Sequence, residues 1–201
     1  MRVLLGLSRR IDTLNSWLGR SMAWLVLVAV LVSAVNAILR KAFDMSSNAW
    51  LELQWVLFGM VFLLCAPWTL IANEHIRIDI VNNLLTRRTR SIIDLVGHVL
   101  FLLPVTVVMV WTSWPFFYDS YRMNEGSLNA GGLPQWPAKF LIPLAFAILF
   151  VQGLSELIKR IAVMTGHLED TTSGGRHHAS AEAEAKRLLA EIETQRQTNK
   201  P

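Results

Sequence analysis

The chain has 201 residues, 53% of them hydrophobic and 17% charged, with a mean hydropathy of +0.39. That is too apolar for an ordinary soluble domain, and the polar remainder is too short to bury a catalytic core of its own, so a soluble enzyme is excluded. The net charge of +4 does not point to nucleic acid either, because the basic residues flank the hydrophobic runs, where they meet anionic headgroups.

Residues 1–20 carry an apolar stripe of Leu4, Leu7, Ile11, Leu14, Trp17 and Leu18 opposite Arg9, Arg10 and Asp12, which predicts an amphipathic helix lying on the membrane surface. Ser8-Arg9-Arg10 ahead of a hydrophobic run also has the look of a secretory or twin-arginine signal. The run is longer than a signal core, however, and three more follow it. A hydrocarbon core of about 30 Å needs roughly 20 helical residues. Four transmembrane helices are expected on that basis, over about 21–39, 51–73, 92–114 and 138–160.

In the first span Ala29, Ser33 and Ala37 form a small-residue ridge with Asn36 beside it, a surface on which a second helix can pack closely. Glu52 and Gln54 stand at the mouth of the second span, and Cys65 inside it is expected to pack as an apolar side chain. Pro67, Pro104 and Pro143 fall within spans, where each predicts a kink. The connection after span two reads Asn73-Glu74-His75-Ile76-Arg77-Ile78-Asp79-Ile80. Asp79 is expected to cap a short helix whose Arg87, Arg88 and Arg90 face lipid phosphates. His75 and Asp79 are two metal-type ligands without a third, which does not make a metal site.

His98 is the titratable group of span three, with no second histidine at similar depth to share a haem, so a hydrogen bond to a neighbouring helix or the headgroup zone is expected. The connection over 115–139 is the longest between spans. Phe116, Phe117, Tyr118, Tyr121 and Trp136 form an aromatic belt there, and the stretch from Glu125 to Pro134 makes a shaped loop with no catalytic set. Lys139, Glu156, Lys159 and Arg160 extend the short fourth span by snorkelling. Residues 166–201 are a polar tail, with His177 and His178 as surface residues.

With the N-terminus inside, Arg2, Arg9, Arg10, Arg20, Arg77, Arg87, Arg88, Arg90, Lys159, Arg160 and Arg176 lie on the inner side. Only Arg40, Lys41, Arg122 and Lys139 lie on the outer side. Both termini are therefore expected in the cytoplasm. Ionisable groups deep in the spans are nearly absent, which leaves a transporter or membrane enzyme acting alone without its machinery.

The segments Glu52-Leu53-Gln54, His75-Ile76-Arg77-Ile78-Asp79-Ile80, Glu125-Gly126-Ser127 and Gly132-Leu133-Pro134-Gln135-Trp136-Pro137 running into Phe140-Leu141-Ile142-Pro143 resemble the small membrane subunit, DctQ type, of tripartite ATP-independent periplasmic (TRAP) transporters. The resemblance covers about residues 10–165. It implies a non-enzymatic subunit of a bacterial inner-membrane importer for organic carboxylates, without cofactor or metal. Its partners would be a large polytopic subunit that holds substrate and sodium, a periplasmic substrate-binding protein, and phospholipid.

The expected fold is an all-α integral membrane protein, with an interfacial helix over 1–20, a four-helix domain over 21–165 and a cytoplasmic tail over 166–201. Candidate contacts with the large subunit are Ala29, Ser33, Asn36, Ala37, Glu52, Gln54, His75, Arg77 and Asp79; candidate docking residues for the binding protein are Glu125 and Ser127. A stand-alone small carrier and the membrane anchor of a redox complex are the rival readings.

Overall fold

The computed structural model describes residues 2–44, 47–72 and 86–165. It is helical, with no strand among the described residues. Helix α1 runs Arg2–Phe43, α2 Asn48–Ala72, α3 Arg87–Gly97, α4 Leu103–Arg122 and α5 Trp136–Met164, and a π-helical turn, His98–Leu102, joins α3 to α4. Four helical stretches are long and apolar enough to cross a membrane: Val3–Phe43, Asn48–Ala72, Ile92–Arg122 and Trp136–Met164.

The separate surface helix expected over 1–20 is not seen as an element. With no proline before Pro67, nothing interrupts the hydrogen-bond ladder, and α1 is one helix of 42 residues, about 63 Å long at a rise of about 1.5 Å per residue. Its first half turns Leu4, Leu7, Leu14 and Trp17 outward, while Ser8 and Asn15 are buried. The helix ends at Asp44, whose φ of 49° is the left-handed conformation that Asp tolerates.

The third span departs from a regular helix just ahead of Pro104. Proline has no N–H and its ring displaces the carbonyl four residues back, and the ladder accommodates this with one wider turn in which Leu103 N–H bonds to His98 O. Thr106 Oγ1 then donates to the carbonyls of Leu102 and Leu103, both at 2.9 Å. Pro115, by contrast, does not end the span. The helix continues through it to Arg122, so the connection expected over 115–139 shrinks to 123–135. Phe116, Phe117, Tyr118 and Tyr121 are helical, and Phe117 packs on Phe140 of α5 with ring centroids 4.9 Å apart.

Helix α5 is the hub. Among the described residues it touches every other helix, whereas α4 packs chiefly on α5 of the other spans. Of the most apolar stretch of α5, 39% is buried within the chain, against 6% for that of 92–122. The small core lies where α1, α2 and α5 meet, around Met22, Leu64 and Ala145. At Gly19 the axes of α1 and α2 come so close that a Cβ would lie 2.6 Å from Trp68 Cβ. Most large apolar side chains face outward, the arrangement of a chain whose outer solvent is lipid.

Candidate functional site

Three sites follow from where the helices end. The connection 123–135 and the C-terminal end of α1 share one end of the molecule, the loop end; residue 2 and the end of α5 share the other, the terminal end.

At the loop end, Glu52 in the first turns of α2 is 6% exposed. Its Oε1 accepts from Ser127 Oγ and, at 2.9 Å, from Asn129 Nδ2, while Oε2 accepts from the Leu133 backbone N–H at 2.7 Å. Asn48 Nδ2 adds a bond to Ala130 O at 3.0 Å. The loop can close on the carboxylate because Gly132 has no side chain: a Cβ there would meet Ser127 and lie 2.7 Å from Glu52 Oε1. Gly131 supplies the turn with a φ of 71°. Glu52 and Ser127, expected to contact two different partners, are thus bonded to each other.

Glu125 pairs with Lys139 at the start of α5. The ammonium of Lys139 donating to it holds the Glu125 carboxyl below the usual carboxylate range. Lys139 Nζ also sits 4.2 Å from the centroid of the Phe116 ring, which ties the loop to α4 and α5 together. Beneath the loop, between α2 and α5, is a cavity of about 530 Å3 bounded by Glu52, Trp55, Gly59, Leu133, Leu141 and Ile142. Leu128 at the loop tip is fully exposed.

The second site is a groove of about 450 Å3 between the loop-end halves of α1 and α2, lined by Ser33, Asn36, Ala37, Arg40, Leu51 and Gln54, with Lys41 and Asp44 at its mouth. It gathers four of the expected partner residues, and Ala29 lies half-buried farther down the same helix. Asn36 is 8% exposed.

The third site, at the terminal end, was not expected. Gln152 is fully buried; its Oε1 accepts from Asn15 Nδ2 at 2.7 Å and its Nε2 donates to Asp12 Oδ1 at 2.8 Å. Lys159 Nζ donates to Asp12 Oδ2 at 2.9 Å and also pairs with Glu156. Ser8 and Ser155 share a hydroxyl–hydroxyl bond of 2.6 Å. Beside this clasp Arg160, 6% exposed, pairs with Asp94 of α3 at 3.1 Å.

Arg160 therefore does not snorkel as expected: Asp94 draws it into the molecule. A charge can enter the helix-packing zone at a span's end once its counter-charge arrives from another helix. His98 bonds its own helix, not a neighbour: Nδ1 is 2.7 Å from Asp94 O. Nε2 is buried with no hydrogen-bond partner among the described residues.

His75, Arg77 and Asp79 lie outside the described residues, as do the side chains of Arg87, Arg88 and Arg90. The backbone of α3 starts at Arg87 and is capped by Thr86, whose side chain accepts from Thr89 N at 3.3 Å. Among the described residues no cluster of three or more His, Cys, Asp or Glu side chains is placed to hold a metal.

A family model, described as "Tripartite ATP-independent periplasmic transporters, DctQ component", matches residues 29–163. The groove, the loop and the Arg160–Asp94 pair fall inside that match; Ser8, Asp12 and Asn15 fall outside it. Comparison with curated proteins gives no match.

Proposed function

We propose, from the premise that this chain belongs to the DctQ family of tripartite ATP-independent periplasmic transporter components, that it is a non-catalytic scaffold for sodium-driven import of organic carboxylates. The large membrane subunit moves substrate and sodium, and the small subunit holds that subunit's fixed frame. The loop end faces the periplasm of a bacterial inner membrane and offers part of the landing surface for the substrate-binding protein. Both termini are cytoplasmic, which fits the basic residues gathered at the terminal end. Arg77 and Asp79 tether the large subunit at that inner surface, and Arg87, Arg88 and Arg90 contact phospholipid.

The observation that carries the reading is how the charges are used. Glu52, Glu125, Lys139, Asp12, Glu156, Lys159, Arg160 and Asp94 sit toward helix ends and bond to parts of this same chain. Mid-span hydroxyls such as Thr106 and Ser113 bond carbonyls of their own helix. A carrier needs polar groups along a path through the membrane; a frame needs fixed geometry at its rims.

Reconstitution tests it. Vesicles holding this chain alone are expected to take up no organic acid under a sodium gradient, and uptake is expected once the large subunit and binding protein are added. Robust uptake by the chain alone would replace the scaffold with a carrier.

A further inference from the structure

The groove between α1 and α2 is polar where a membrane protein can least leave polar groups unpaired. Asn36 is nine-tenths buried and lines it, yet its amide makes no hydrogen bond within the described chain, and neither do the side chains of Ser33 and Gln54 in the same groove. Arg40 and Lys41 share the mouth with Asp44 and form no ion pair among the described residues, which leaves the mouth with a net positive charge. Elsewhere Gln152 and Thr106 bond internally, and His98 Nε2 and Ser120 Oγ are single orphaned atoms among the described residues, whereas the groove gathers three unbonded polar side chains in one place.

Depth selects the occupant. Along α1, Asn36 lies about 6 Å and Ser33 about 10 Å below Arg40 at a rise of about 1.5 Å per residue. The headgroup zone is only about 6 Å thick on each face. A phospholipid could place its phosphate at Arg40 and Lys41, but its acyl chains would then lie against Ser33 and the lower wall with no group to bond. A polypeptide can supply hydrogen-bonding groups at both depths. The wall is also made for a helix: Ser33 and Ala37 stand one turn apart, with Ala29 a turn farther on, so a backbone can approach closely.

We propose that this groove seats a transmembrane helix of the large membrane subunit. That helix carries a carboxylate at its loop end opposite Arg40 and Lys41, and a hydrogen-bonding side chain about one turn deeper opposite Asn36 and Gln54. The proposal rests on the family-based reading above and names the surface and the chemistry of the segment that fills it.

The test uses the co-expressed complex, purified through a tag on the large subunit. With a photoreactive benzoylphenylalanine in place of Ala37, illumination is expected to give an adduct at the summed mass of both membrane subunits, and the cross-linked peptide is expected to contain an Asp or Glu near the end of a span. Asn36→Leu is expected to lower retention of this chain by about fivefold or more, and Arg40→Glu with Lys41→Glu to do the same. The Asn36→Leu full chain purified alone is expected to melt no lower than wild type, because no internal bond is lost.

If the complex stays intact while Ala37 cross-links only to lipid, the groove is a lipid site and the proposal falls. It also falls if Asn36→Leu leaves retention unchanged, or destabilises the isolated chain. Failure of the wild-type chain to co-purify with the large subunit is a different result, which would overturn the family-based reading and this inference with it.

Discussion

Glu52 does most with least. One carboxylate, fed by a hydroxyl, a carboxamide and a backbone N–H, fixes the register of a loop that has no secondary structure of its own. Gly132 is the residue that permits it. Gly132→Ala is expected to force the loop off the carboxylate at a cost of about 1–3 kcal/mol, read as a lower melting temperature in detergent and faster protease cleavage within 123–135. The Glu125–Lys139 pair adds a pH dependence. Because Lys139 lowers the Glu125 pKa, the pair's contribution is complete above the ordinary carboxylate value and is lost as pH falls through the lowered one. A spin label on Leu128→Cys, in a Cys65→Ser background, should stay ordered at neutral pH and gain mobility on acidification. With Lys139→Met that change should shrink.

Between elements, the buried Arg160–Asp94 pair joins α3 to the hub helix. Asp94→Ala strands a cation in a poorly solvated place and is expected to cost about 3–5 kcal/mol, while adding Arg160→Met should recover much of it. A double-mutant cycle by thermal unfolding measures both. Periodicity and run length made the four apolar helices and the polar rims legible in the sequence, since each depends on neighbours along the chain. What they could not supply was which distant residue meets which. Asp12 and Gln152 were both visible as polar positions, one on a surface stripe and one inside a span, but their bond joins residues 140 apart in sequence. Asp94 is likewise unremarkable until α5 brings Arg160 to it. The third span runs two turns past its expected end at 114 for a tertiary reason: Phe117 packs on Phe140, and a membrane helix tolerates Pro115 within it.

Across the whole molecule, the hub arrangement leaves α4 packed chiefly on one other span and α1 with a long outward face among the described residues. The alternation of helices also places Leu128 and the end of α5 on opposite sides if all four stretches cross. Leu128→Cys on intact cells is expected to react with an impermeant thiol reagent, and Thr171→Cys to react only after permeabilisation; the reverse pattern would invert the assigned orientation. The tight crossing at Gly19 and Trp68 has a mechanical corollary. It acts as a fulcrum on α1: the Asp12 clasp lies about 10 Å to one side and Asn36 about 25 Å to the other, at about 1.5 Å per residue. A stiff helix pivoting there magnifies displacement by about two and a half, so a 1 Å slip at the clasp becomes about 2.5 Å at the groove. Loosening the fastening at the terminal end would therefore spoil the fit at the far rim without altering a single residue that lines it.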